Sequence, residues 1–152
     1  MKIRVRSVKI RIFHYYERRH DHESCNPYRN QRHLCEEDFH TLFGEGGGLT
    51  YKADLSQPGQ YVCEERLTIQ GPKGRFENVA VLGPFRKETQ IEISMTDSRK
   101  MGIPGMIRQS GDTEGTPGCT LIGPAGSLEL DHGVIVAKRH IHMTPVQAIQ
   151  LN

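Results

Sequence analysis

Residues Tyr61–Leu82 read YVCEERLTIQGPKGRFENVAVL. Two strand-like runs, Tyr61–Ile69 and Phe76–Leu82, flank Gly71-Pro72-Lys73-Gly74, a strong turn signal. The same signature returns in Thr120–Gly126 (TLIGPAG), where Gly123-Pro124-Ala125-Gly126 begins 52 residues after Gly71. A second echo links Arg32-His33-Leu34-Cys35 with the run Arg139–Thr144 (RHIHMT). Two internal echoes point to a duplicated β architecture. Outward from this stretch, Thr89–Met95, Cys119–Ile122 and Ser127–Lys138 also read as strands, with further turns at Gln57–Gln60 and Gly83-Pro84. Short strands at this spacing suggest a barrel or a sandwich. Ser110–Gly118, polar and glycine-rich, reads as a loop.

Two helices are expected. Cys35–Gly44 (CEEDFHTLFG) opens with acidic residues that complement the helix dipole and carries an apolar stripe of Phe39, Leu42 and Phe43. Gly44 ends it, and Cys35 stands where a Ser or Thr N-cap is usual. At the far end Thr144-Pro145 is an N-cap followed by proline at the first helical position. Two turns of helix are not stable alone, so this segment is expected to pack on the body or to continue into residues the chain lacks.

The 152 residues carry a formal net charge of +2, with hydrophobic residues at 36%. This composition suits one soluble domain or two small lobes, and no apolar run is long enough to span a membrane. The total hides an asymmetry. Residues 1–32 hold nine basic and three acidic groups, and the remaining 120 hold eleven basic and fifteen acidic. A basic N-terminal segment, 1–31, therefore precedes a mildly acidic body, 32–152. The segment lacks the apolar stretch of a secretory signal. Its alternating apolar and basic residues read as an edge strand or arm, and no nucleic-acid partner is expected. Cys25, Cys35, Cys63 and Cys119 show no metal-binding or redox spacing, so a reducing, cytoplasmic setting is expected. The apolar neighbours of Cys63 and Cys119 favour buried structural thiols over nucleophiles.

The residues able to carry chemistry are few. His140 and His142 are two apart, so on a strand both imidazoles share a face and suit zinc or another first-row metal. Glu92 lies in Arg86–Ile93 (RKETQIEI), where Ile91, Ile93 and Met95 would face one side and Gln90, Glu92 and Ser94 the other. It reads either as a solvated carboxylate or as a third ligand beside the histidines. Arg86 follows the Gly83-Pro84 turn, and its guanidinium fork suits phosphate. His33 is ambiguous. The sequence has no G-x-S-x-G, P-loop or G-x-G-x-x-G.

Three runs, Asp54–Tyr61 (DLSQPGQY), Gly83–Gln90 (GPFRKETQ) and Ala137–Pro145 (AKRHIHMTP), together resemble the phosphate propanoyltransferases of the PduL type, in order and in spacing. The resemblance covers roughly residues 32–152 and leaves the basic segment unmatched. It implies a mainly β fold: two small antiparallel β-barrels from a duplicated domain with short capping helices, the second barrel left incomplete by this chain. It implies an acyltransferase that interconverts propanoyl-CoA plus phosphate with propanoyl phosphate plus CoA. It also implies two metal ions, commonly zinc, and work in propanediol degradation inside a bacterial microcompartment, with shell or lumen proteins as partners and an oligomer as an option.

Residue by residue, the resemblance makes His140, His142 and Glu92 ligands of one metal and His33 a ligand of the other. Arg86 becomes the phosphate-binding catalytic residue and Leu82 a lining residue of the CoA site. Ala53 replaces a lysine that contacts CoA, with Lys52 adjacent as its stand-in. Gln31 stands where the first metal's leading histidine is expected, which weakens that site, and the family's last metal histidine lies beyond Asn152. The alternative expectation is a truncated or degenerate homologue that binds metal or CoA without turnover.

Overall fold

The computed structural model describes residues 32–55 and 59–139. The expected basic arm, Gln31, the histidines His140 and His142 and the helix start at Thr144 lie outside them. The elements are β1 (Arg32–His33), α1 (Glu36–Phe43), β2 (Tyr51–Asp54), β3 (Tyr61–Gln70), β4 (Arg75–Gly83), β5 (Gln90–Glu92), α2 (Met95–Met101), β6 (Ile107–Arg108), β7 (Cys119–Ile122), β8 (Ser127–Leu130) and β9 (Val134–Ala137). The fold is mainly β. Its strands run in the order β6-β9-β5-β1-β4-β3-β7-β8, with β2 on the side of β3, and the sheet curls into a half-barrel.

The quoted stretch is the backbone of this arrangement. β3 and β4 form a long antiparallel hairpin from Gln70↔Arg75 at the turn to Tyr61↔Gly83 at the open end. The turn closes with the Gly71 N–H donating to the Gly74 carbonyl at 2.8 Å. The second glycine-proline turn joins β7 to β8, and the Gly123 N–H donates to the Gly126 carbonyl at 2.9 Å. The echo in sequence is thus an echo in hydrogen bonding, and it extends to a helix. The Lys73 N–H donates to Met101 at the end of α2, and the Ala125 N–H to Leu42 in the last turn of α1, each at 2.9 Å. Each turn thereby satisfies a helix carbonyl that has no partner inside its own helix.

The sheet is mixed, a departure from the expected all-antiparallel barrels. β1 runs parallel to β4, β5 parallel to β9 and β6 parallel to β9. At the centre β1 and β5 are antiparallel. Each of these two short strands leads directly into a helix, and each has a parallel partner on its outer side. Parallel neighbours require crossover connections that local strand signals do not reveal.

Two strand boundaries also differ from expectation. The run Thr89–Met95 is a strand only over Gln90–Glu92. Ser94 accepts the Asp97 N–H at 3.0 Å as the N-cap of α2, which ends at Gly102 in the left-handed region. Ser94 and Asp97 form the short cap signature that the alternating Ile91, Ile93 and Met95 mask. Ser127–Lys138 is two strands, split by a turn at Gly133, whose φ is 106°. α1 forms as expected, although Cys35 caps nothing with its thiol. Thr89 stands in: its hydroxyl accepts the Cys35 N–H at 2.9 Å and donates to the Asp38 carboxylate. The distant threonine thus completes a capping box that the local sequence lacks.

One face of the sheet carries the main core. Val79, Val81, Ile91, Ile93 and Leu121 pack there against Leu34, Phe39 and Leu42 around α1, with Met101 from α2. Each fully buried aliphatic side chain contributes about 1.5–3 kcal/mol. Cys63 and Cys119 are buried in the same cluster, and burial pushes both thiols up to about 12, which agrees with structural rather than nucleophilic roles. Among the described residues no helix is long and apolar enough to cross a membrane.

Candidate metal and phosphate site

The opposite face of the sheet carries a row of buried polar residues. Cross-strand partners share a face, as do residues two apart on one strand. His33 on β1 lies opposite Leu82 on β4 and opposite Gln90 on β5. Glu92 is two residues beyond Gln90. Leu82 lies opposite Val62, and Val62 opposite Ala53, so the row extends to β2. Leu82, His33, Gln90 and Glu92 therefore form one row, all at most 3% exposed. The side of Glu92 that alternation left open to solvent is buried. Val62, Ala80 and Leu82 give this row an apolar flank, separate from the main core.

His33 sits in this row as a buried, neutral imidazole. Its Nδ1 lies 3.4 Å from the Pro84 carbonyl, a partner that only a protonated Nδ1 satisfies. The lone pair then rests on Nε2. That atom is buried without a hydrogen-bond partner among the described residues, as is Oε1 of Gln60. Burial first, and then the Arg86 cation, push His33 down to about 4, against weaker opposing contacts from Pro84, Leu82 and Gln60. A neutral imidazole with a carbonyl behind one nitrogen and an unused lone pair on the other fits a first-row metal.

Arg86 reaches this row from the turn after β4. Gly83 packs closely under its cross-strand partner: a Cβ there would sit 2.2 Å from the Tyr61 ring, which would have to swing away. The Arg86 N–H donates to the Leu34 carbonyl at 2.9 Å, which folds the turn over the end of β1. The guanidinium donates through Nη1 to the Ser110 hydroxyl at 3.1 Å. Partial burial lowers its basicity, and the Glu92 carboxylate acts in the opposite direction. The charge of Arg86 is thus felt by His33 on one side and feels Glu92 on the other, which places the three expected site residues in one electrostatic neighbourhood.

Lys52 stands apart from the row. Its ammonium pairs with Glu64 at 2.8 Å on an exposed part of β2 and β3, a contact worth at most about 1 kcal/mol, while Ala53 holds the row position. His140 and His142 are outside the described residues. Among the described residues no three His, Cys, Asp or Glu side chains gather as a metal cluster. Sequence reasoning passed over Gln90 and Ser110. Gln90 shares the alternation of Glu92, the one signal that pointed to it. Ser110 lies 24 residues from Arg86 in a loop, and nothing local connects them.

The His33 shift has a testable consequence for metal-free protein. The unfolded chain protonates His33 as the pH falls through about 6.5, whereas the folded chain keeps it neutral down to about 4. The contribution is complete above pH 6.5 and is lost as the pH falls toward 4, by about 3 kcal/mol. Denaturant midpoints in chelator at pH 7.5 and 4.5 should show this loss, and a His33→Leu variant should lack that part of it.

A family model described as phosphate propanoyltransferase matches residues 29–152. The chain is similar to three proteins named phosphate propanoyltransferase. That of Enterococcus faecalis is 57% identical over 118 residues, covering 78% of this chain and 56% of that protein. That of Thermotoga maritima is 60% identical over 116 residues, 76% of this chain and 55% of that protein. That of Clostridioides difficile is 58% identical over 120 residues, 79% and 57% respectively. The chain spans little more than half the length of these relatives. With the motifs around Arg86 and Glu92 inside the matched region, this chain belongs to the phosphate propanoyltransferase family.

Proposed function

We propose that this chain carries a metal-dependent phosphate acyltransferase site that interconverts propanoyl-CoA plus phosphate with propanoyl phosphate plus CoA. The observation that supports it best is the buried row of His33, Gln90 and Glu92 with the Arg86 guanidinium at its edge. Family membership supplies the reaction class.

In the forward direction a phosphate oxygen forms a bond to the thioester carbonyl carbon, and the carbon–sulfur bond breaks as CoA leaves as a thiolate. Arg86 would hold phosphate through its fork and orient one oxygen toward that carbon. His33, held neutral, and Glu92, beside Arg86, would ligate metal, with His140 and His142 completing the second set. Zinc, when bound, would supply Lewis acidity for the developing charge on oxygen and for the leaving sulfur. Leu82 and its apolar flank would line the CoA side, with Lys52 as an outer cation for CoA. The proposal includes two metals per complete site and a duplicated two-barrel fold of which residues 32–152 are a part. A microcompartment lumen with shell proteins nearby is the setting the family suggests.

The test is a thiol-release assay on zinc-loaded protein with propanoyl-CoA and phosphate, together with metal analysis. Phosphate-dependent release of CoA thiol is expected. Gln31, in place of an imidazole, favours a second reading in which the chain holds metal or CoA without turnover. Stoichiometric zinc with no thiol release in folded protein would select that reading, and no zinc, no CoA binding and no release would reject both.

A further inference from the structure

Gln90 occupies the middle of the row, directly opposite His33 and two residues before Glu92. It is 2% exposed. Its amide orientation follows from its neighbours. The Gly111 N–H donates to Oε1 at 2.6 Å, so that end is the carbonyl. Nε2 then donates one hydrogen to Oε1 of Glu92 at 2.8 Å and one to the Ser110 hydroxyl at 3.0 Å. The same hydroxyl receives the Arg86 guanidinium. One buried amide therefore ties together a carboxylate, the loop at Ser110–Gly111 and, through Ser110, an arginine.

A residue needed only to anchor the loop would need only the bond to Gly111. The other two contacts point toward groups that carry chemistry. In a buried setting an amide–carboxylate bond is strengthened by the low local dielectric. It also fixes the rotation of the carboxylate, which a lone Glu on a short strand would not hold. We infer that Gln90 is a positioning residue: it sets the orientation of the Glu92 carboxylate for metal and, through Ser110, the place of the Arg86 guanidinium for phosphate. This rests on the reading of Glu92 and Arg86 given above.

The experiment compares the wild-type chain with Gln90→Met and Gln90→Asn. The first removes all three hydrogen bonds at similar volume, and the second keeps the amide but withdraws it by one methylene. Three quantities are read: zinc affinity by chelator competition, inorganic phosphate affinity of the zinc-loaded protein by calorimetry, and CoA affinity by the same method. Loss of a partner that orients a metal ligand lowers metal affinity by about 10–100-fold. That loss is expected in both variants, with phosphate binding weakened several-fold and CoA binding unchanged. Zinc and phosphate affinities within twofold of wild type in folded variants would overturn the inference and leave the functional reading standing. Loss of the melting transition in both variants would assign Gln90 to the fold alone and also overturn it. A wild-type chain that takes up no zinc would overturn the functional reading itself, and the inference with it, before any variant is compared.

Discussion

Arg86→Met is expected to lower kcat/KM for the proposed phosphate-dependent reaction by about 100–1,000-fold, the scale at which removing a single preorganised charge-stabilising donor acts. The effect should appear chiefly in the dependence on phosphate concentration, with CoA affinity little changed. Arg86→Lys should recover only part of the loss. Lysine restores the charge but not the planar fork, and its ammonium reaches Ser110 without the second parallel donor. The fold should survive both changes, because the Arg86 N–H that holds the turn to Leu34 is a backbone group that no substitution here removes. Initial rates across a phosphate series, with melting curves as a check on folding, decide the matter. Equal losses in phosphate and CoA affinity, or a loss of folding, would show that Arg86 supports the turn and does not bind phosphate.

The second large effect is on stability. Gly123→Ala should destabilise the protein by about 1–3 kcal/mol, the usual range of forced overpacking. A Cβ at Gly123 would stand 2.2 Å from the Leu42 carbonyl oxygen and 2.8 Å from the Leu42 Cβ. Leu42 is fully buried, and its carbonyl already receives the Ala125 N–H. The close atoms are the Leu42 carbonyl group and Cβ, none of which a rotamer change moves. The turn or the last turn of α1 must move, and the bond between them is lost. Gly48→Ala is the control: a Cβ there meets nothing within 4 Å, and a change near zero is expected. Denaturant midpoints of the two variants against wild type measure the difference.

How much of this was legible beforehand depends on the range of the interaction that decides each feature. Cys119–Ile122 was read at its exact bounds, and α1 within one residue, because turn glycines and an apolar stripe act locally. α2 was missed even though its cap, Ser94 and Asp97, is written in the chain. Ile91 and Ile93 continue an alternation into Met95 that looks like strand until the helix is seen to start. Capping of α1 by Thr89 was beyond local reading, since donor and acceptor lie 54 residues apart.

The site divides in the same way. Arg86 and Glu92 were named as candidates from the motif around them, and His33 as a candidate ligand through the family resemblance. Its burial and its unused Nε2 were not legible, because both depend on β4 and the Pro84 carbonyl closing over β1. Ser110 meets Gln90 through a loop that returns from 20 residues away.

By itself the sequence determined a mainly β chain, its echoed glycine-proline turns, its family, and the residue types available for metal and phosphate. Those are properties of local pattern and motif. Only the tertiary structure decided that β1 and β5 lie antiparallel at the centre of a mixed sheet, each with a parallel strand outside it. That pairing places His33, Gln90 and Glu92 in one buried row and brings Arg86 to its edge. Strand pairing between distant segments is set by shared burial and hydrogen-bond satisfaction across the whole sheet, and no window of the chain contains that information.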